Sequence, residues 1–240
     1  MWSITGKEFR QFFSSLTAYI AIILFLLVSG LFLFVLTDSN ILDFGFASLD
    51  RFFFLAPWIF IFLVPAVAMR SFAEEFKSGT FEILKTKPVS SLAITLGKYF
   101  AILLIILIIL IPTLTYVYTI SSLNDADNLD TGGILGSYIG LFLLASAFGA
   151  VSLCCGSFTS NAIVAFLISV FVNIALYFGF TALSTLPVFS GNLDYYIEML
   201  GMDFHYQNLG RGVIDSRDVI YFFSIIFLAL FITIQNIRKK

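Results

Sequence analysis

Charge is scarce in this chain. Of 240 residues only 12% are Asp, Glu, Lys or Arg, with 13 basic side chains against 15 acidic ones. Soluble domains carry about a quarter charged residues, so a surface fully solvated by water is excluded. Histidine occurs once, as His205, and cysteine twice, as the neighbours Cys154 and Cys155. A lone histidine excludes a His-Glu-x-x-His zinc site, and two adjacent cysteines provide no disulfide framework. No Gly-x-x-x-x-Gly-Lys-Ser/Thr run is present to cradle phosphates, and no Gly-x-Ser-x-Gly run to raise a nucleophile. The expectation is a chain that is not an enzyme, with no catalytic residue, no metal and no cofactor.

What fills the sequence is apolar: 60% hydrophobic residues, 30 of them phenylalanine. Six apolar stretches, 19–36, 52–69, 99–120, 135–155, 162–186 and 219–237, are each long enough to cross a ~30 Å hydrocarbon core at about 1.5 Å per residue. The first has no small-residue cleavage site and reads as an uncleaved span. Numbering the intervening segments alternately puts every lysine on one side and every aspartate on the other. Ten Lys or Arg share the first side with four Glu, and three Arg share the second with eleven acids. Basic residues favour the cytoplasmic side, so both termini are expected in the cytoplasm. A net charge near zero is then an average over two opposed surfaces and gives no reason to expect nucleic acid as a partner.

By this count no charged residue falls within a span. Gradient-driven transporters keep Asp, Glu, Lys or His there to carry the coupling ion. Energy for any vectorial work is therefore expected from outside the bilayer.

Residues 1–17 read as an interfacial helix, with Trp2, Phe9, Phe12, Phe13 and Leu16 on an apolar face and Lys7, Arg10, Gln11 and Ser14 opposite. Pro57 and Pro65 in the second span and Pro112 in the third each remove a helical hydrogen bond and can kink their helix. Gly136-x-x-x-Gly140 and the small residues after it let two helices approach closely, within the chain or across a dimer. Leu193, Tyr196, Ile197 and Leu200 predict a short amphipathic helix in the long outer loop, 187–218. The most patterned connector is 70–98. Phe72, Phe76, Gly79 and Ile83 form one helical stripe, Gly79 can end a first helix, and Thr80 can cap a second, with Glu82 in its first turn. Pro88 then stops it.

Arg70, Glu74, Gly79-Thr80, Glu82, Leu84, Pro88 and Gly97-Lys98 resemble the loop between the second and third spans of ABC-2 type transporter permeases. A second match, Phe204-His205-Tyr206-Gln207-Asn208, Arg211 to Asp215, Arg217-Asp218-Val219 and Tyr221, resembles the segment leading into that family's last span. Length and layout are most similar to the gliding-motility-associated permease subunit of Bacteroidetes. The resemblance implies an all-α membrane protein of six transmembrane helices, an N-terminal interfacial helix and a cytoplasmic coupling helix, forming one permease domain over 1–240. It implies as partners a separate cytoplasmic ABC ATPase and a second permease subunit or homologous chain with a periplasmic region. The ATPase-coupling residues would be Phe72, Glu74, Glu75, Phe76, Gly79, Thr80, Glu82 and Leu84. Ser29 and Asn173 would lie near a central path. The alternative is a structural membrane anchor of a motility or secretion complex that moves no substrate itself.

Overall fold

The computed structural model describes residues 1–36, 48–86, 89–123, 130–187 and 192–239, and every regular element among them is helical. Helix α1 (Trp2–Ser14) precedes α2 (Thr17–Phe34). Helix α3 (Asp50–Ala68) runs into α4 (Arg70–Ser78), and α5 (Thr80–Lys85) follows at a reversal. Helix α6 (Ser91–Leu110) passes through a 3-10 turn, Ile111–Thr113, into α7 (Leu114–Leu123). Then come α8 (Thr131–Phe158), α9 (Ala162–Ile174), a π-turn at Ala175–Gly179 and α10 (Phe180–Ser184). Two short helices, α11 (Asn192–Glu198) and α12 (Met202–Leu209), lead to α13 (Ser216–Lys239).

Six of the described stretches are long and apolar enough to cross a membrane: Thr17–Phe34, Asp50–Ser78, Ser91–Ser122, Thr131–Phe158, Ala162–Ser184 and Ser216–Lys239. The protein is an all-α membrane protein, as its hydropathy runs predict. Asp38, Asp43, Lys87, Pro88, Asp125, Asp127 and Lys240, counted in the charge and loop reading, lie outside the described residues.

Helix α8 is the hub. Its small residues, among them Ala145, Ala147, Ala150 and Ser152, are buried, and α3 and α13 pack along it. Serines and threonines inside the spans satisfy their hydroxyls on their own helix: Ser152 donates to the Phe148 carbonyl at 2.6 Å and Thr233 to the Ala229 carbonyl at 2.7 Å. That economy suits a medium without water. Helix α3 continues through both Pro57 and Pro65, whereas the third span tightens into its 3-10 turn at Pro112. Side chains cap several helix starts, among them Ser90, Asp130, Asn161 and Asp215, each accepting a backbone N–H of the first turn.

Helix α1 leaves Trp2 and Leu16 of its apolar face exposed, as an interfacial helix would, and buries Ile4, Thr5, Glu8 and Phe12 against the bundle. The reason is local. A Cβ at Gly97 would sit 2.9 Å from the Ile4 side chain, so only glycine lets α1 lie this close to α6. In addition, Lys98 draws Glu8 in. Lys98 itself is not the end of a basic loop: it lies about two turns inside α6 and is fully buried.

The Gly136/Gly140 stripe works within the chain. It seats α12, a helix that the sequence pattern did not reveal. A Cβ at Gly136 would collide with the Leu209 carbonyl, and one at Gly140 would meet Leu209 and Tyr206 at 3.2 and 3.3 Å. Tyr206 fastens α12 further by donating its hydroxyl to the Phe53 carbonyl at 2.7 Å. Burial pushes this phenol far above its usual range, so it stays a donor.

Candidate functional site

At the lysine-rich end of the bundle, α4 extends α3 beyond Met69 and then reverses at Gly79, whose φ of 70° is the left-handed conformation that glycine adopts without strain. Helix α4 buries Ser71, Phe72, Ala73 and Glu75. Phe76 stacks on Phe72 at 5.8 Å between centroids, and Phe81 meets Phe76 edge-on at 4.9 Å. These three rings fold α5 back onto α4. The expected stripe is thereby split: Phe72 is interior, Phe76 is half-buried, and Ile83 is 62% exposed. Phe81, which no sequence pattern singled out, is the buried residue that closes the hairpin.

The remaining candidates spread around this hairpin. Thr80 is the first residue of α5 rather than its cap, which is Gly79; its hydroxyl meets that of Ser78 at 2.9 Å. Glu74 pairs with Arg70 at 3.3 Å along α4, a half-exposed i,i+4 pair worth at most a few tenths of a kcal/mol. Leu84 packs half-buried against the core. The outward face of the hairpin thus consists of Lys77, Ser78, Gly79, Thr80, Glu82 and Ile83.

Beneath it lies a charge cluster that the sequence reading missed. The Lys98 ammonium donates to Glu8 Oε1 at 3.0 Å and to the Ser71 carbonyl at 2.6 Å, and pairs with Glu75 Oε2 at 3.0 Å. Lys7, half-exposed, bonds the other oxygen of Glu75 at 3.2 Å. Glu75, grouped above with the coupling residues, is therefore directed into the chain. The available signal was Lys98 itself, a lysine inside the apolar run from Leu92 to Leu110.

An open apolar groove of about 550 Å³ runs between α2 and α9 over α3, with Ile20, Leu24, Trp58, Phe62 and Phe166 on its walls. Ser29 and Asn173 do not line it and are not brought together. Ser29 meets the Tyr116 hydroxyl at 3.1 Å. Asn173 donates to Ser152 Oγ at 3.3 Å, and its Oδ1 is buried without a hydrogen-bond partner among the described residues, two residues before the π-turn. No group of three or more His, Cys, Asp or Glu that could hold a metal occurs among the described residues.

The sequence profile of the ABC-2 family transporter proteins matches residues 36–234, which takes in five of the six spans, the α4–α5 hairpin and α12. The chain belongs to the ABC-2 transporter family. No individual curated protein matches it. As an ABC-2 membrane component it is a multi-pass membrane protein of a transporter family. The profile begins after α1 and α2, so Lys98 and Glu75 belong to the family core while their partner Glu8 is contributed from outside it.

The second sequence match of this ABC-2 chain also acquires a physical reason. His205 on α12 and Asp218 at the start of α13 are both buried, and Nδ1 lies 2.6 Å from Asp218 Oδ1. Nε2 lies 2.9 Å from the Met199 carbonyl, so both ring nitrogens face oxygen partners. Tyr221 stacks on the ring at 3.8 Å. His205, Asp218 and Tyr221 are thus one clasp binding α12 to the last span.

Proposed function

We propose that this chain is the permease subunit of an ATP-binding-cassette transporter, driven by a separate cytoplasmic ATPase that docks on the α4–α5 hairpin. One observation carries the reading. An exposed isoleucine, Ile83, stands on a hairpin whose three phenylalanines otherwise close on one another, at the end of the bundle that gathers the lysines. An apolar residue filling a partner's pocket within a polar rim is the usual centre of such a contact. Thr80, Glu82 and Lys77 would form that rim, and Glu74 its edge. Phe72, Phe76 and Leu84 act from beneath, holding the hairpin's shape. Ser29 and Asn173 stay assigned to the neighbourhood of a path completed by a second permease subunit. The sorting of Lys and Arg to one side supports cytoplasmic termini in a bacterial inner membrane, and the resemblance to gliding-motility permeases supports motility or its associated export as the process served.

Purification in mild detergent tests the reading. A nucleotide-binding subunit should copurify in stoichiometric amount and hydrolyse ATP, and a chain that emerges alone under every mild condition would contradict it. Orientation is tested separately in a Cys154→Ser/Cys155→Ser background. An impermeant thiol reagent added to intact spheroplasts should modify Ser122→Cys and spare Ser78→Cys. The reverse pattern would place the hairpin outside, where no cytoplasmic ATPase could reach it.

A further inference from the structure

The three oxygens around the Lys98 ammonium come from two helices that are remote in sequence: Glu8 from α1, Glu75 and the Ser71 carbonyl from α4. Lys98 belongs to a third, α6. Its ring neighbour, Phe72, lies 5.1 Å away and presents a face to the cation. Lys98 is fully buried, and Glu8 and Glu75 are buried beside it. In such surroundings a charge that loses its partner has no water to replace it, so the three helices are disfavoured from separating one at a time. A second contact reinforces the first, because Ile4 of α1 packs on the bare backbone of Gly97 immediately before Lys98.

The chain offers α4 two routes to the membrane. One is covalent and direct, through Met69 into α3. The other, through α5 and the residues after it to Ser91, crosses the reversal at Gly79. The Lys98 cluster bypasses that reversal and joins α4 to α6 through the Glu75 ion pair and the hydrogen bond to the Ser71 carbonyl.

We propose that Lys98 is a positioning residue that fastens α1, α4 and the cytoplasmic part of α6 into one mechanical body. On this view α1 is a working part of the coupling apparatus rather than a passive membrane anchor, and movement of α4 reaches the third span through Glu75–Lys98. The inference rests on the reading that an ATPase acts on the α4–α5 hairpin.

The test uses the full chain in lipid nanodiscs, in the Cys154→Ser/Cys155→Ser background, with spin labels at the exposed positions Arg10 (α1), Arg70 (α4) and Leu92 (α6) taken in pairs. Each pair should give a single narrow distance distribution. Glu75→Gln should broaden the α4–α6 distribution and leave α1–α6 narrow. Glu8→Gln should broaden α1–α6 and leave α4–α6 narrow. If both substitutions leave all three distributions unchanged, or broaden all three alike, the cluster does not fasten these helices and the proposal is overturned.

A second arm adds the copurified ATPase with trapped nucleotide and a label at Leu135 near the opposite end of α8. In the unsubstituted chain the α1–α4 distance should hold while both helices shift against Leu135, and in Glu8→Gln α4 should shift without α1. A shift of α4 alone in the unsubstituted chain would overturn the proposal. If no ATPase is captured, the functional reading fails, and the first arm still decides whether the clasp exists.

Discussion

Replacing Lys98 by methionine should destabilise the isolated chain by about 3–5 kcal/mol, the usual cost of leaving a buried charge without its partner. Methionine keeps the stem volume, so packing against Phe72 changes little. What is lost is the cation between Glu8 and Glu75, which lie at 4% and 8% exposure and retain only the half-exposed Lys7. The triple variant K98M/E8Q/E75Q should recover most of the loss, because neutral groups carry no comparable desolvation cost and replacing a whole buried ion cluster is often nearly neutral. Thermal inactivation midpoints in one detergent, compared at one heating rate because unfolding of such chains is commonly irreversible, check both variants. A single variant as stable as the parent, or a triple variant no better than the single, would show that the cluster's charges are not what holds it.

Gly136→Leu should be the second severe change. The new Cβ meets the Leu209 carbonyl, which is backbone and cannot swing aside, so α12 must lift from α8 and carry Tyr206 away from the Phe53 carbonyl. Overpacking of this kind costs about 1–3 kcal/mol, and loss of the buried hydroxyl contact adds about 1 kcal/mol. Gly156, on the same helix, provides the control. No atom lies within 4 Å of a Cβ there, so Gly156→Ala should gain up to about 1 kcal/mol from helix propensity. Opposite shifts in the thermal midpoint of the two variants are the expected result. Equal shifts would mean that α12 does not rest on Gly136.

The six spans were legible in the sequence because a lipid-facing helix needs about 20 apolar residues, and few other structures do. The reversal at Gly79 was legible for a similar reason, since only glycine takes that backbone conformation freely. Lys98 was misplaced because a loop-by-loop charge count assigns every lysine to the nearest aqueous side, whereas burial here depends on Glu8 and Glu75, which are far away in sequence. The side of α1 that faces the bundle was not legible for the same reason: Gly97 and Lys98, remote in sequence, select the Ile4–Glu8 side. Helix α12 escaped notice although its buried residues Met202, His205, Tyr206 and Leu209 stand at i, i+3, i+4 and i+7, because the run is only eight residues long and a histidine interrupts its apolar face. Its buried face is defined by the glycines of α8. Phe72, Phe76 and Ile83 were equivalent members of one stripe until the hairpin closed on Phe81 and left Ile83 outside.

The most direct test of the central claim is site-specific photo-crosslinking from the hairpin in living cells. A benzoyl-phenylalanine at Ile83 should form an adduct with a nucleotide-binding subunit, and the same residue at the exposed Tyr196 on α11 should not. A nucleotide-binding subunit captured from Tyr196 and never from Ile83 would contradict the account.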